Sequence, residues 1–246
     1  MDELYLFSAG SANDSTHTHL WVKGAALFIP QLSQLLEYTD YKFQITDINI
    51  FENDCEKLGN ILATNKSDKS SPNNYHILYS FIFNELGVNE SLNVLEIGIG
   101  TNNPYLVSTM GIYGTPGASL YAFKEYLPNS NIYGCDIDRD ILFEYERIKT
   151  CYVDQLNSKS FEEISNKFGD IKFDLIIDDG LHSIGSNFNT LLFALKNLKD
   201  NGWLVVEDIQ IITNWKSIDY ILQQTNKFKT YVIKAKSSYL FAVKKL

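Results

Sequence analysis

The 246-residue chain predicts an α/β fold built on a mainly parallel sheet, preceded by an N-terminal extension. Three observations predict it. Short apolar runs that each end in an acidic residue recur after residue 90, segments of helical periodicity lie between them, and the first run passes directly into a glycine-rich turn. A strand covered on both faces reads as a continuous apolar run, and strands alternating with helical segments need crossover connections, which make their pairing parallel.

The elements follow in order. Ser8 to Thr18 is small and polar and reads as a loop, Leu27 to Tyr38 is amphipathic, and Tyr41 to Phe51 alternates like a strand. Asn65 to Asn74, rich in Lys, Asn and Ser with one Pro, is a loop that ends before the helical pattern Tyr75, Leu78, Tyr79, Phe81, Ile82. Residues 1–74 are therefore read as an extension, either a lid or dimer arm or a cap over the sheet, and residues 75–246 as the main domain. Asn93 to Ile97 is the first buried strand. Asn131 to Asp136, Thr150 to Asp154, Phe173 to Asp179 and Trp203 to Asp208 are the next. Ile141, Tyr145 and Ile148 recur at helical spacing, as do Phe188, Leu191, Leu192, Leu195 and Leu198, and Trp215 to Gln224 is a further helical pattern. Lys227 to Lys234 and Ser238 to Val243 are joined so tightly by Ala235 to Ser237 that they must be antiparallel neighbours.

In an open sheet of this kind ligands bind outside the carboxyl ends of the strands, where the strand order reverses. Those ends carry Glu96, Asp136, Asp154, Asp178 with Asp179, and Glu207 with Asp208. Gly98 and Gly100 let the backbone turn sharply and approach a ligand closely. Asn103 and Pro104 stand where a dinucleotide fingerprint would have its third glycine, so the turn favours a cofactor without phosphates. Several carboxylates in one place repel unless something positive joins them, and hard oxygen ligands suit Mg²⁺ or another divalent ion. His182, three residues after Asp179, is the candidate general base, since an imidazole titrates near neutrality. His17-Thr18-His19 reads as ordinary surface, and His76 as a neighbour of the cofactor mouth through Tyr75.

Glu96-Ile97-Gly98-Ile99-Gly100 followed by Asp136, Asp154 and Asp178 resembles the class I S-adenosylmethionine (SAM)-dependent methyltransferases. Three further segments resemble the metal-dependent sugar O-methyltransferases, the mycinamicin methyltransferase type with relatives in capsular polysaccharide clusters. They are Gly117 to Leu120 leading to Pro128 to Asp136, Asp178-Asp179-Gly180-Leu181-His182, and Glu207-Asp208; an upstream Asp68-Lys69 with Tyr75 and Tyr79 also fits. Leu181 departs from the pattern, where relatives carry a small polar residue. The resemblance implies a Rossmann-like seven-stranded sheet with a terminal antiparallel hairpin. It implies SAM bound by Gly98 and Gly100 of the loop, by Glu96 at its amino acid part, by Asp136 at its ribose hydroxyls and by Asp154 with Gln155 near the adenine. Asp178 and Tyr75 would lie on the cofactor side. Asp179, Glu207 and Asp208 would hold a divalent metal, with Asp179 and His182 at the chemistry. The bland alternative is that these acids cap helices or hydrogen-bond the acceptor.

Composition excludes more than it selects. With 21 basic and 30 acidic residues the formal charge is −9, which suits neither a nucleic acid backbone nor an anionic membrane. No basic leader or long apolar span is present in the sequence, so a cytoplasmic protein is expected. Cys55, Cys135 and Cys151 follow no metal or disulfide spacing. The reading is a SAM-dependent O-methyltransferase acting on a hydroxyl of a small-molecule sugar, a nucleotide-linked sugar of capsule or other glycan synthesis, with a homo-oligomer among the expected states. The rivals are a methyltransferase for another small hydroxylated or carboxylated acceptor and a catalytically silent SAM-binding protein.

Overall fold

The computed structural model describes Gly24 and residues 27–246. The expected loop over Ser8 to Thr18 and the His17-Thr18-His19 segment lie outside the described residues. The strands are β1 (Thr46–Asp47), β2 (Asn93–Ile97), β3 (Asn131–Asp136), β4 (Glu144–Tyr145), β5 (Ile148–Tyr152), β6 (Phe173–Asp178), β7 (Leu198–Ile209), β8 (Phe228–Lys234) and β9 (Tyr239–Lys245). The helices are α1 (Glu56–Thr64), α2 (His76–Leu86), α3 (Ala118–Tyr126), α4 (Glu162–Phe168), α5 (Ile184–Asn197) and α6 (Lys216–Gln224). Among the described residues no helix is long and apolar enough to cross a membrane.

One sheet runs in the order β1-β8-β9-β7-β6-β2-β3-β5-β4. Its seven inner strands, β8 to β5 in that order, are the expected sheet, and β9 pairs antiparallel with both β7 and β8 to give the terminal hairpin. The two outer strands are two-residue additions at the edges. Every residue of β6 is buried, as its unbroken apolar run requires for a strand covered on both faces. From β2 the chain passes to β3 on one side, while β6 pairs on the other. The strand order therefore reverses at β2, and Ile97 pairs with Asp178 across that point.

Two apolar layers cover the sheet. One gathers Ile48, Phe51, Leu58, Leu62, Leu78, Phe83, Leu120 and Phe123 over Val94 and Leu175. The other gathers Ile164, Leu191, Trp215 and Leu222 over Leu95, Ile176 and Phe241. Residues of the 48–62 stretch thus lie in the same core as the sheet, and full burial of Leu58 and Leu62 stabilises the fold by about 1.5–3 kcal/mol each. Residues 27–34 are helical, as their amphipathic pattern predicts, and lead into a 3₁₀ turn at Leu35–Tyr38; Leu27, Phe28, Leu35 and Tyr38 remain exposed.

Two expectations are corrected. The helical spacing of Ile141, Tyr145 and Ile148 is not a helix: a 3₁₀ turn at Arg139–Ile141 is followed by the antiparallel pair β4 and β5, turning at Glu146 with φ of 49°. The Thr150 hydroxyl accepts from Phe143 N and donates to Phe143 O, so it ties the two strands together locally. The strand expected from Thr150 accordingly begins at Ile148 and ends at Tyr152, leaving Val153 and Asp154 on the following loop. From Tyr41 to Phe51 only Thr46–Asp47 pairs in the sheet; Ile48–Phe51 is a 3₁₀ turn whose first turn is capped by the Asp47 carboxylate, 2.9 Å from Asn49 N. Ile48 and Phe51, three residues apart, share the buried side of that turn.

Candidate functional site

The glycine turn is set by contact with the neighbouring strand. Gly98 has φ of 89°, and a Cβ there would lie 2.2 Å from the Asp179 carbonyl oxygen. Its N–H donates to Cys135 O, and Asp179 N–H donates to Ile97 O, both at 2.8 Å, so the ends of β2, β3 and β6 are laced together. A cavity opens against this turn, walled by Gly98, Gly100, Asp136, Asp154, Gln155 and Leu181 with the apolar Ile137, Val153 and Leu156. Among the described residues no Lys or Arg lines it, so these offer no cation to a pyrophosphate. The Asp136 carboxylate accepts from Ile99 N and Asp138 N, both at 2.9 Å, which braces the loop it faces. Burial raises the Asp136 carboxyl above its ordinary value, with those backbone donors pulling the other way.

Beside it lies a larger cavity of about 510 Å³, sharing the wall at Gly98, Gly100, Asp179 and Gly180. Its floor is an ion cluster centred on Lys69. The Lys69 Nζ lies 2.5 Å from Asp179 Oδ2, 2.6 Å from Glu207 Oε2 and 3.1 Å from Glu96 Oε1. Burial alone would pull this ammonium down, but the three carboxylates outweigh it and hold its pKa well above the usual lysine value. Burial in turn raises the Glu96 and Glu207 carboxyls, against the pull of Lys69. Ser119 donates its hydroxyl to Glu96, and Tyr79 to Glu207.

In front of this floor Asp179, His182 and Asp208 converge. Their ligand atoms all lie within 4.8 Å of one another; His182 Nε2 is 3.8 Å from Asp179 Oδ1 and 3.9 Å from Asp208 Oδ2. Oxygen ligands around a divalent ion sit at about 2.0–2.6 Å from it, so carboxylate oxygens of Asp179 and Asp208 at such separations could share one ion, with His182 beside it. His182 and Asp208 both adopt positive φ, 54° and 55°, a conformation rare outside glycine. Such backbone costs of order 1–3 kcal/mol and gathers at functional sites. At Asp208 it coincides with a register shift between Val206 and Ile209 in the β7–β9 pairing, which sends Glu207 inward and Asp208 toward the cavity.

The expected site residues therefore divide. Gly98, Gly100, Asp136, Asp154 and Gln155 line the first cavity, and Asp179 lies where the two cavities meet. Glu96 lines the second cavity, but both of its oxygens are engaged, by Lys69 and Ser119. Four placements differ from expectation. Tyr75 is fully buried, and its hydroxyl reaches Asp208 and Ser238 rather than the cofactor cavity, because the start of α2 packs against the β7 side. His76 lies over Gly59. Glu207 is only 1% exposed and turned to Lys69 and Tyr79, and His182 takes its place beside Asp179 and Asp208. Asp178, expected on the cofactor side, is buried behind the turn and lines neither cavity, because it accepts from Gln155 Nε2 at 2.8 Å. Lys69 is the residue that reasoning from chemistry missed; its signal was the Asp68-Lys69 pair, seen only as part of a resemblance.

No family model matches the chain. It is 34% identical over 122 residues to the mycinamicin VI 2''-O-methyltransferase of Micromonospora griseorubida, covering 49% of this chain and 28% of that protein. It is 35% identical over 122 residues to the demethylmacrocin O-methyltransferase of Streptomyces fradiae, with the same coverages of 49% and 28%. A third relative is the 8-demethyl-8-(2-methoxy-alpha-L-rhamnosyl)-tetracenomycin-C 3'-O-methyltransferase of Streptomyces olivaceus, 31% identical over 157 residues, 62% of this chain and 36% of that one. The chain thus spans about a third of the length of the curated relatives it matches. Among solved structures it is similar to the MycE methyltransferase from the mycinamycin biosynthetic pathway in complex with Mg and SAH, with a TM-score of 0.61 at 23% identity over 77% of this chain and 54% of that one. What the two share is the fold.

Proposed function

We propose that this chain is a SAM-dependent O-methyltransferase that places a methyl group on a sugar hydroxyl with the help of a divalent metal. The observation that carries the proposal is the convergence of Asp179, on the wall shared by an acid-lined cavity and a larger open one, with His182 and Asp208 of the larger cavity. The first cavity suits a nucleoside without phosphates, with Asp136 and Asp154 as acceptors for hydroxyl and amine groups and Ile137, Val153 and Leu156 as apolar walls. SAM would supply a methyl on a sulfonium, and a divalent ion would supply positive charge beside the acceptor. Asp179 and Asp208 are the carboxylates that reach the cavity to hold that ion, while Glu207 is engaged by Lys69 behind them.

His182 is the base. As the acceptor oxygen bonds to the methyl carbon and the carbon–sulfur bond breaks, the hydroxyl proton passes to His182 Nε2, which is worth roughly 10²- to 10⁴-fold. S-adenosylhomocysteine (SAH) is then the product. The three relatives, each named as an O-methyltransferase, one for a rhamnosyl-bearing compound, support a sugar hydroxyl as acceptor. A nucleotide-linked sugar of capsule or other glycan synthesis remains our finer reading, with the exposed Lys66 on the cavity wall as one contact for its phosphates. Incubation with methyl-labelled SAM and a panel of free, glycosidic and nucleotide-linked sugars tests it. Label should appear as a sugar methyl ether. Tight SAH binding with no label in any member would favour the silent SAM-binding protein instead.

A further inference from the structure

We infer that Gln155 is a positioning residue, which ties the loop walling the cofactor cavity to the turn that carries His182. The inference deepens the proposed function and rests on the placement of His182 given there. Gln155 stands between Asp154 and Leu156 on the cavity wall, and the resemblance implied a place for it near the adenine. The structure has spent its side-chain amide elsewhere. Its Nε2 donates to Asp178 Oδ1 at 2.8 Å and to Thr190 Oγ1 at 2.9 Å, and its Oε1 accepts from Leu181 N at 2.8 Å. An amide nitrogen has two hydrogens, so no donor is left for a base.

What these bonds hold is the strained step beside them. His182 sits at φ of 54°, and such backbone persists only where its flanks are fixed. On one side Ser183 caps α5, its hydroxyl accepting from Ser186 N while Ser183 N donates to Ser186 Oγ, both at 3.2 Å. On the other side Leu181 N–H is held by Gln155. Just before the Leu181 anchor, Gly180 packs so closely that a Cβ there would lie 2.1 Å from Gln155 Oε1. Asn189 of α5 also donates to the Gln155 carbonyl, at 2.8 Å, so both chains leading to His182 are pinned to the one residue. Anything that fills the cavity presses on the 153–156 loop, and Gln155 passes that on to Leu181 and His182.

The experiment uses the full chain and SAH as the probe. Hydrogen exchange of the wild type should show the Leu181 amide protected, and further slowed by SAH. In Gln155→Leu that protection should fall at least tenfold and the labelled imidazole signal of His182, assigned by its loss in His182→Ala, should shift, while SAH affinity changes by less than about threefold. Thr190→Val removes one acceptor of the same amide without touching Leu181, and it should leave both signals in place. A tenfold or greater loss of SAH affinity in Gln155→Leu with an unmoved His182 signal would make Gln155 an adenine contact and overturn the inference. So would equal shifts in Thr190→Val, which would mean general loosening. Should Gln155→Leu not fold, a wild-type Leu181 amide exchanging at the rate of an open loop would overturn it alone. None of these readouts needs turnover, so a failure of the methyl transfer itself is seen separately.

Discussion

Lys69 Nζ lies 2.6 Å from Glu207 Oε2, and both side chains are only 1% exposed, so the cation that joins the acids at the floor of the site is built into the chain. A buried ion pair is weak evidence for net stability, but removing one partner leaves an uncompensated charge. Here three carboxylates would be left. Lys69→Met should therefore cost roughly 3–5 kcal/mol or prevent folding, where exchange of an exposed lysine such as Lys229 should cost little. Urea unfolding of the two variants checks this, and equal midpoints would show that the cluster tolerates loss of its cation.

The strand ends were legible because a parallel strand covered on both faces has no choice but a continuous apolar run, and the acids stand where each run stops. Glu96, Asp136 and Asp178 were placed this way, as were Gly98 and Gly100. Lys69 was not, since its burial is decided by Glu96, Asp179 and Glu207, acids that arrive from three different strand ends and are remote in sequence. The exchange of Glu207 for His182 in the exposed trio had a similar cause: adjacent residues point to opposite sides, and which one faces the cavity is set by the register shift before Ile209. The spacing of Ile141, Tyr145 and Ile148 misled because period alone cannot see the Thr150 hydroxyl that closes the hairpin.

Asp136 gives the cofactor assignment a pH signature. Burial raises its carboxyl, so the folded value exceeds that of the unfolded chain; the stability it contributes is present in acid and is lost as pH rises through the folded value. A ligand hydroxyl donating to the carboxylate has the opposite requirement, because it needs the ionised form. SAH affinity should fall as pH drops through the raised folded value, and Asp136→Asn should weaken binding about 10- to 100-fold and flatten the dependence, as expected for a charge-assisted bond of roughly 1.5–3 kcal/mol. Calorimetry from neutral pH down through the acidic range decides it. Unchanged affinity in the variant would take Asp136 off the ribose and leave it as a brace for the loop.

Metal binding at Asp179 and Asp208 can be read without turnover. Mn²⁺, read by its paramagnetic resonance, should occupy one site that is lost in Asp208→Asn and in Asp179→Asn. Chelation should abolish methyl transfer and Mg²⁺ restore it. Full transfer after exhaustive chelation would remove the metal from the reaction.

His182 allows stability and chemistry to be pulled in opposite directions. Its φ of 54° is strained for any residue with a Cβ and free of cost for glycine. His182→Gly should therefore keep or raise the melting temperature, the relief of the turn offsetting the loss of a half-exposed side chain whose nearest charged neighbours are Asp179 and Asp208. Methyl transfer, in contrast, should fall by roughly 10²-fold or more, because the imidazole contributes when the hydroxyl proton leaves and not when the cofactor binds. SAH affinity should stay within about threefold of the wild type. His182→Ala keeps the Cβ and the strain, so it should lose activity equally while melting below the glycine variant. A structural histidine would give the reverse pattern, with both variants melting lower and the folded fraction turning over at the wild-type rate, and that outcome would pass the role of base to a carboxylate of the cluster.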